Sequence, residues 1–266
     1  MDLGLKGKVY LVVGASDGMG LATADAIAAE GGELALVARG KERLQGVAAD
    51  LSTKHGVPVS AHPADPSTPE GIDSVVEQVL AEQGRLDGLA VLAGPAEPYG
   101  DVLALKDADW DYYIQKHLML TVRCCRAALP HMIEAGRGSI VTCGAYSVRQ
   151  QKPAVVALTA AKSAIVSVTK NISKTYGPSG IRANCICPGM IDTASVPADR
   201  EALKAEYGLP PSEALYRYAE EKWGMTLALR RVGQPAEVGA LAAMLMSDRI
   251  GYVTGATINI DGGTDF

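Results

Sequence analysis

No apolar run in this sequence approaches the ~18 residues that a membrane span needs, so an integral membrane protein is not expected. No cluster of lysine and arginine is present either. Together with a formal net charge of −5, that argues against nucleic acid or an anionic membrane as partner. The five cysteines, Cys124, Cys125, Cys143, Cys185 and Cys187, are an odd number without metal-ligand spacing. They read as reduced structural thiols, and no metal site is expected. Lys6 and Lys8 run into Val9–Val13 and at once into a glycine loop, which leaves no signal-peptide h-region or cleavage site. A cytoplasmic location is therefore the expectation. What is present is a chain of 266 residues, 48% hydrophobic and 21% charged, long enough for one large domain with a filled core.

Apolar segments alternate with amphipathic ones, the pattern of a doubly wound α/β sheet. Seven strands are expected at 9–13, 33–38, 57–63, 88–93, 139–143, 182–187 and 257–260. Helices are expected at about 21–30, 41–54, 69–83, 108–134, 154–176, 200–221 and 235–247. The whole of 1–266 then forms a single domain, a seven-stranded parallel sheet with helices on both faces. One region breaks the rhythm: 189–231 is a long connection carrying Tyr207, Tyr216, Tyr218, Trp223 and Met225. It begins where ligands sit in open α/β sheets, so it reads as a substrate lid, with a helical excursion serving an oligomer contact as the alternative.

The stretch VGASDGMG, residues 13–20, organises the rest. Gly14 permits a tight turn, Gly18 a close approach of backbone to a pyrophosphate, and Gly20 close packing of helix on sheet. Ser16 and Met19 fall within the same loop, and the following helix turns its N-terminus to the anion. A dinucleotide is the expected guest.

In order along the whole chain, five motifs resemble those of the short-chain dehydrogenase/reductase family: Gly14-x-x-x-Gly18-x-Gly20, Asp65, Ala93-Gly94, Pro188-Gly189 with Ile191 and Thr193, and the closing stretch TGATINIDGG. The resemblance implies a Rossmann-type fold, an adenine contact from Asp65 and a nicotinamide contact from the Pro188-Gly189 loop. At the end of the second strand stands Val37-Ala38-Arg39-Gly40, with no carboxylate to accept from a ribose diol. The planar fork of Arg39 suits a 2′-phosphate, which favours NADP(H) over NAD(H). Asp17 argues the other way, since a carboxylate in this loop repels a phosphate.

The family's chemistry uses an Asn, a Ser, a Tyr and a Lys, and three of the four positions depart here. Lys162 is retained, with a ribose contact and a catalytic part both open to it. The tyrosine position holds Leu158, the serine position Ala145 and the asparagine position His117. Leucine donates no proton, and a positioned acid is worth ~10²–10⁴ in rate. Tyr146, next to the vacant serine position, is the first substitute. The 2,4-dienoyl-CoA reductases, a branch of the family, also lack the usual tyrosine and recruit one near this strand end. Strand alternation turns Tyr146 away from the site unless a loop begins at Gly144. His117 is the second substitute, as a neutral or charged imidazole relaying a proton through water; a backbone-bonded histidine is the plain alternative. Tyr99, Tyr207 and Tyr216 follow, and Cys143 reads as core.

The function expected is an NADP(H)-dependent oxidoreductase with a non-standard proton donor, reducing an activated C=C or C=O of a small apolar substrate. The alternative is a non-redox descendant, a lyase, isomerase, retro-aldol enzyme or cofactor-binding sensor, that keeps the dinucleotide site. A homodimer or homotetramer is implied by the resemblance, through the helices at 108–134 and 154–176.

Overall fold

The computed structural model describes residues 2–95, 97–194, 196 and 200–264. Seven strands, β1 (Val9–Val13), β2 (Glu33–Ala38), β3 (Val59–Pro63), β4 (Gly88–Val91), β5 (Gly138–Cys143), β6 (Ile181–Pro188) and β7 (Thr257–Ile260), form one sheet. Their order is β3-β2-β1-β4-β5-β6-β7, and every pairing is parallel. All five β1 residues are buried, as an apolar strand covered on both faces must be. Tyr10 and Val12 face one core with α1 (Gly18–Ala29) and α9 (Pro235–Met246). Val9, Leu11 and Val13 face the other, with α3 (Pro69–Gln83) and α5 (Leu120–Glu134). The period-two alternation of the strand thus builds both layers at once.

The order reverses between β1 and β4, opening a crevice beyond their carboxyl ends. α2 (Lys41–His55) follows β2, and α6 (Val156–Tyr176) runs between β5 and β6. Among the described residues no helix is long and apolar enough to cross a membrane.

Three expectations need correction. The helix expected at 108–134 has three parts: α4 (Asp107–Tyr113), a π-helical segment (Ile114–Met119) and α5. The helix expected at 200–221 is two, α7 (Arg200–Tyr207) and α8 (Pro211–Trp223). Gly208-Leu209-Pro210 separates them, since proline lacks the N–H that would continue the first. The first helix begins at Gly18 rather than at residue 21, capped by Asp17. In the 189–231 segment, residues 195 and 197–199 lie outside the described part. The rest of it packs around its own core of Leu203, Leu215, Ala219, Met225 and Leu227.

Candidate active site

The crevice holds a trough of about 590 Å³, lined by Gly14, Ser16, Gly18, Met19 and Gly20 from the glycine loop and by Arg39, Asp65, Ala93, Gly94 and Thr193 around it. Gly14 has φ +88°, and a Cβ there would lie 2.9 Å from the Ala93 backbone nitrogen. A Cβ on Gly20 would lie 2.1 Å from the Gly14 carbonyl oxygen. The loop is therefore pressed against Ala93, just beyond the end of β4, and against its own first turn. The trough, its glycine cradle and the start of α1 fit a dinucleotide, with the α1 amides turned to its pyrophosphate.

Asp17 is already partnered. One carboxylate oxygen accepts from the Gly18 N–H at 2.7 Å, and the other meets the Arg43 guanidinium at 2.7 Å. Arg43 escaped the sequence reading; its signal is its place in the first turn after Arg39. Arg39 itself is exposed at the trough's rim. Asp65 accepts from the Ser67 backbone N–H (2.9 Å) and hydroxyl (2.7 Å), with Lys116 at 3.4 Å. Partial burial pushes its pKa up, but the Ser67 bonds and the Lys116 charge outweigh this and hold it below the usual carboxylate range. Lys116 also lines the trough and was likewise missed.

A second cavity, of about 180 Å³, continues from the first and shares Met19, Ala93, Gly94 and Thr193 with it. Lys162, Pro188, Gly189 and Ile191 line it, so the residues expected around the nicotinamide converge here. The Lys162 ammonium is buried and donates to the Cys143 carbonyl at 2.8 Å. Leu158 stands one helical turn before Lys162 on the same face of α6 and lines the cavity with Ala145.

Tyr146 enters this cavity as well. β5 ends at Cys143 and a 3₁₀ turn begins at Tyr146, so the alternation that would have turned the ring away stops short of it. Its hydroxyl is buried without a hydrogen-bond partner. Burial pushes its pKa up to about 12, so the phenol stays protonated and free to donate.

His117 lies on the π-helical segment, 2% exposed, its ring stacked on Tyr113 at 5.6 Å. Nε2 sits 2.7 Å from the Pro95 carbonyl. That oxygen can only accept, so Nε2 carries the proton and Nδ1 is bare, buried and without a partner. Burial, then the Lys162 charge, lower its pKa to about 3. The charged relay is thereby excluded at neutral pH, and the ring is an acceptor rather than an acid. Gly94, at φ +141°, has no room for a Cβ, which would fall 2.3 Å from His117 Nδ1.

The remaining candidates sort cleanly. The Tyr207 hydroxyl donates to Glu221 at 3.0 Å and that of Tyr216 to Glu220, and neither tyrosine lines the cavity. Tyr99 does, half-buried, with its pKa pushed up to about 12 by burial. Cys143 is buried at the cavity's edge, and burial pushes its thiol pKa up.

The family model described as Enoyl-(Acyl carrier protein) reductase matches residues 14–265. The chain is 30% identical to the 3-oxoacyl-(acyl-carrier-protein) reductase FabG of Chlamydia muridarum, over 97% of this chain and 98% of that one. It is 31% identical to the short-chain dehydrogenase/reductase aba4 of Botryotinia fuckeliana, over 96% of each. Among solved structures, L-sorbose reductase from Gluconobacter frateurii, complexed with NADPH and L-sorbose, superposes with a TM-score of 0.90 at 32% identity, covering 98% of each chain.

Proposed function

The chain belongs to the short-chain dehydrogenase/reductase family, and from that footing we propose that it is an oxidoreductase using a nicotinamide dinucleotide, NADP(H) in preference to NAD(H). Its reaction is reduction of an activated C=C or C=O of a small apolar substrate, with Tyr146 as the proton donor. One observation carries this reading: Tyr146, its hydroxyl buried without a hydrogen-bond partner, lines the same cavity as Lys162, the Pro188-Gly189 loop and Leu158, a side chain that donates no proton.

The bound dinucleotide supplies the hydride. Gly14, Ser16, Gly18, Met19 and Gly20 hold its pyrophosphate, Asp65 its adenine, and Arg39 with Arg43 the 2′-phosphate. Gly94, Pro188, Gly189, Ile191 and Thr193 frame the nicotinamide, and Lys162 turns the donors left over from Cys143 to its ribose. The phenol of Tyr146 donates to the substrate carbonyl oxygen. With a pKa near 12 and no cation beside it, it is a weak acid. Carbonyl reduction needs a full proton at that oxygen, whereas a conjugated alkene needs only a hydrogen bond there and can take its proton from water. The site is therefore better suited to C=C than to C=O reduction. His117 holds the Gly94–Pro95 turn through the Pro95 carbonyl; it is a positioning residue. The 189–231 segment acts as the lid, and a homodimer or homotetramer forms across the helices at 107–134 and 156–176.

The test follows NADPH oxidation against panels of enones and ketones. Tyr146→Phe is expected to lower turnover by ~10²-fold or more, as loss of a positioned acid does. Unchanged turnover removes Tyr146 as donor. NADPH and NADP⁺ both failing to bind removes every reading that involves the cofactor.

A further inference from the structure

Two thiols that take no part in the reaction above lie together behind Gly144, a residue lining the second cavity. Cys185 and Cys187 are both buried on β6, and strand alternation puts their side chains on one face, where they pack with Ile165 of α6. Ile186 between them faces the opposite core, with Cys143. Both sulfurs crowd one point: a Cβ on Gly144 would lie 2.6 Å from Cys187 Sγ and 3.1 Å from Cys185 Sγ. The two thiols also hydrogen-bond to each other. They are close enough to share one atom. Cys124 and Cys125, adjacent on α5, point in directions about 100° apart instead.

Lys162 supplies a second observation. Its buried ammonium donates to the Cys143 carbonyl, and no Asp or Glu stands among the described residues lining the cavity around it. An ammonium held out of water without an opposite charge is costly. Its field reaches Cys185.

We infer that Cys185 and Cys187 form a two-coordinate site for a soft monovalent cation, Cu(I) or Ag(I). Thiolate sulfur selects such ions. Binding replaces two S–H bonds by two S–metal bonds, releases two protons and transfers no electron. The resulting bis-thiolate complex has a net charge of −1, the counter-charge that Lys162 lacks. Zn(II) would leave a neutral complex beside the ammonium, and it demands four ligands. Among the described residues no group of three or more His, Cys, Asp or Glu is placed to hold a metal. A disulfide is disfavoured as well. Two residues of extended strand set the Cα atoms roughly 6.6 Å apart with parallel side chains, at the far end of the disulfide range, whereas a bridging ion spans that gap. The C-x-C spacing lies outside the four-ligand patterns, which is why the sequence reading found no metal site in it.

Reduced, metal-free protein is titrated anaerobically with Cu(I) held as its bicinchoninate complex, whose colour is lost as the protein takes the ion. One Cu(I) per chain is expected. Cys185→Ser and Cys187→Ser should each weaken uptake roughly a hundredfold or more, at or beyond the cost of losing an outer-shell partner. Lys162→Met should weaken it roughly tenfold, the lower end of that cost. Cys124→Ser with Cys125→Ser should leave it unchanged. X-ray absorption on the loaded wild type, which requires no variant to fold, should show two sulfur neighbours. The inference is overturned by no uptake against the chromophore, by unchanged uptake in either β6 variant or in Lys162→Met, by loss of uptake with the α5 pair, by three or more ligands around copper, or by equal affinity for Zn(II). None of these readouts involves NADPH turnover, so the reductase reading stands or falls separately.

Discussion

Lowering the pH from 7 to 5 perturbs His117 in a way whose size follows from its surroundings. In the unfolded chain its imidazole titrates near 6.5, whereas burial and the Lys162 charge hold the folded pKa at about 3. Between those values the unfolded chain binds a proton that the folded chain refuses, so stability falls as pH falls, by up to ~1.4 kcal/mol per unit. Integrated from pH 7 to 5, the loss is about 2 kcal/mol. The folded value hardly matters to this figure, because any pKa below about 4 leaves the folded imidazole neutral at pH 5. Urea unfolding of the wild type and of His117→Asn at both pH values is the assay. The variant loses packing at every pH, but that cost cancels when each protein is compared with itself. The wild type should therefore lose about 2 kcal/mol more than the variant between pH 7 and 5. Parallel losses in the two proteins would refute the neutral, buried imidazole. So would a folded-state Cε1–H chemical shift that titrates between pH 7 and 5. With the ring neutral, the activity profile between pH 5 and 8 should carry no limb due to His117.

If the serine and tyrosine positions are those proposed, Ala145→Ser with Leu158→Tyr should raise turnover of simple ketones by roughly 10²-fold or more, since Leu158 stands one turn from Lys162 beside the cavity; no gain with cofactor binding intact would count against the placement of these positions. Arg39→Ala should weaken NADPH binding by roughly ten- to a hundredfold, the worth of a charged hydrogen bond, and leave NADH nearly unchanged, as read by isothermal titration. Asp87 accepts from the Val9 N–H and from Arg85 and Arg137. Burial works against it, but these bonds win and hold its pKa below the ordinary carboxylate value. Asp87→Asn should cost about 1.5–3 kcal/mol at pH 7. Because the folded pKa is the lower one, this stabilisation is present above the unfolded value and fades as pH falls, so the gap between wild type and variant in urea should narrow toward pH 3.

The sequence alone determined the sheet, because burial on both faces forces a β strand such as Val9–Val13 to be apolar throughout and the intervening helices to be amphipathic. It also located the glycine-lined trough, since Gly14 and Gly20 occupy positions where backbone crowding leaves no room for a side chain. That residue 158 itself supplies no acid was equally legible, because a leucine cannot donate a proton wherever it points. The rest depended on contacts between distant segments. That Tyr146 lines the second cavity turned on β5 ending at Cys143, before strand alternation reached it. The state of His117 was set by the Pro95 carbonyl and the Lys162 charge, 22 and 45 positions along the chain from it. Asp17 was paired with Arg43 from the next helix, a contact across 26 positions that only the fold makes. Motifs that shape the backbone carry their reason within themselves and can be read in the sequence. The protonation state and hydrogen bonding of a side chain such as His117 or Tyr146 depend on what surrounds one atom in three dimensions, and only the tertiary structure assembled those surroundings.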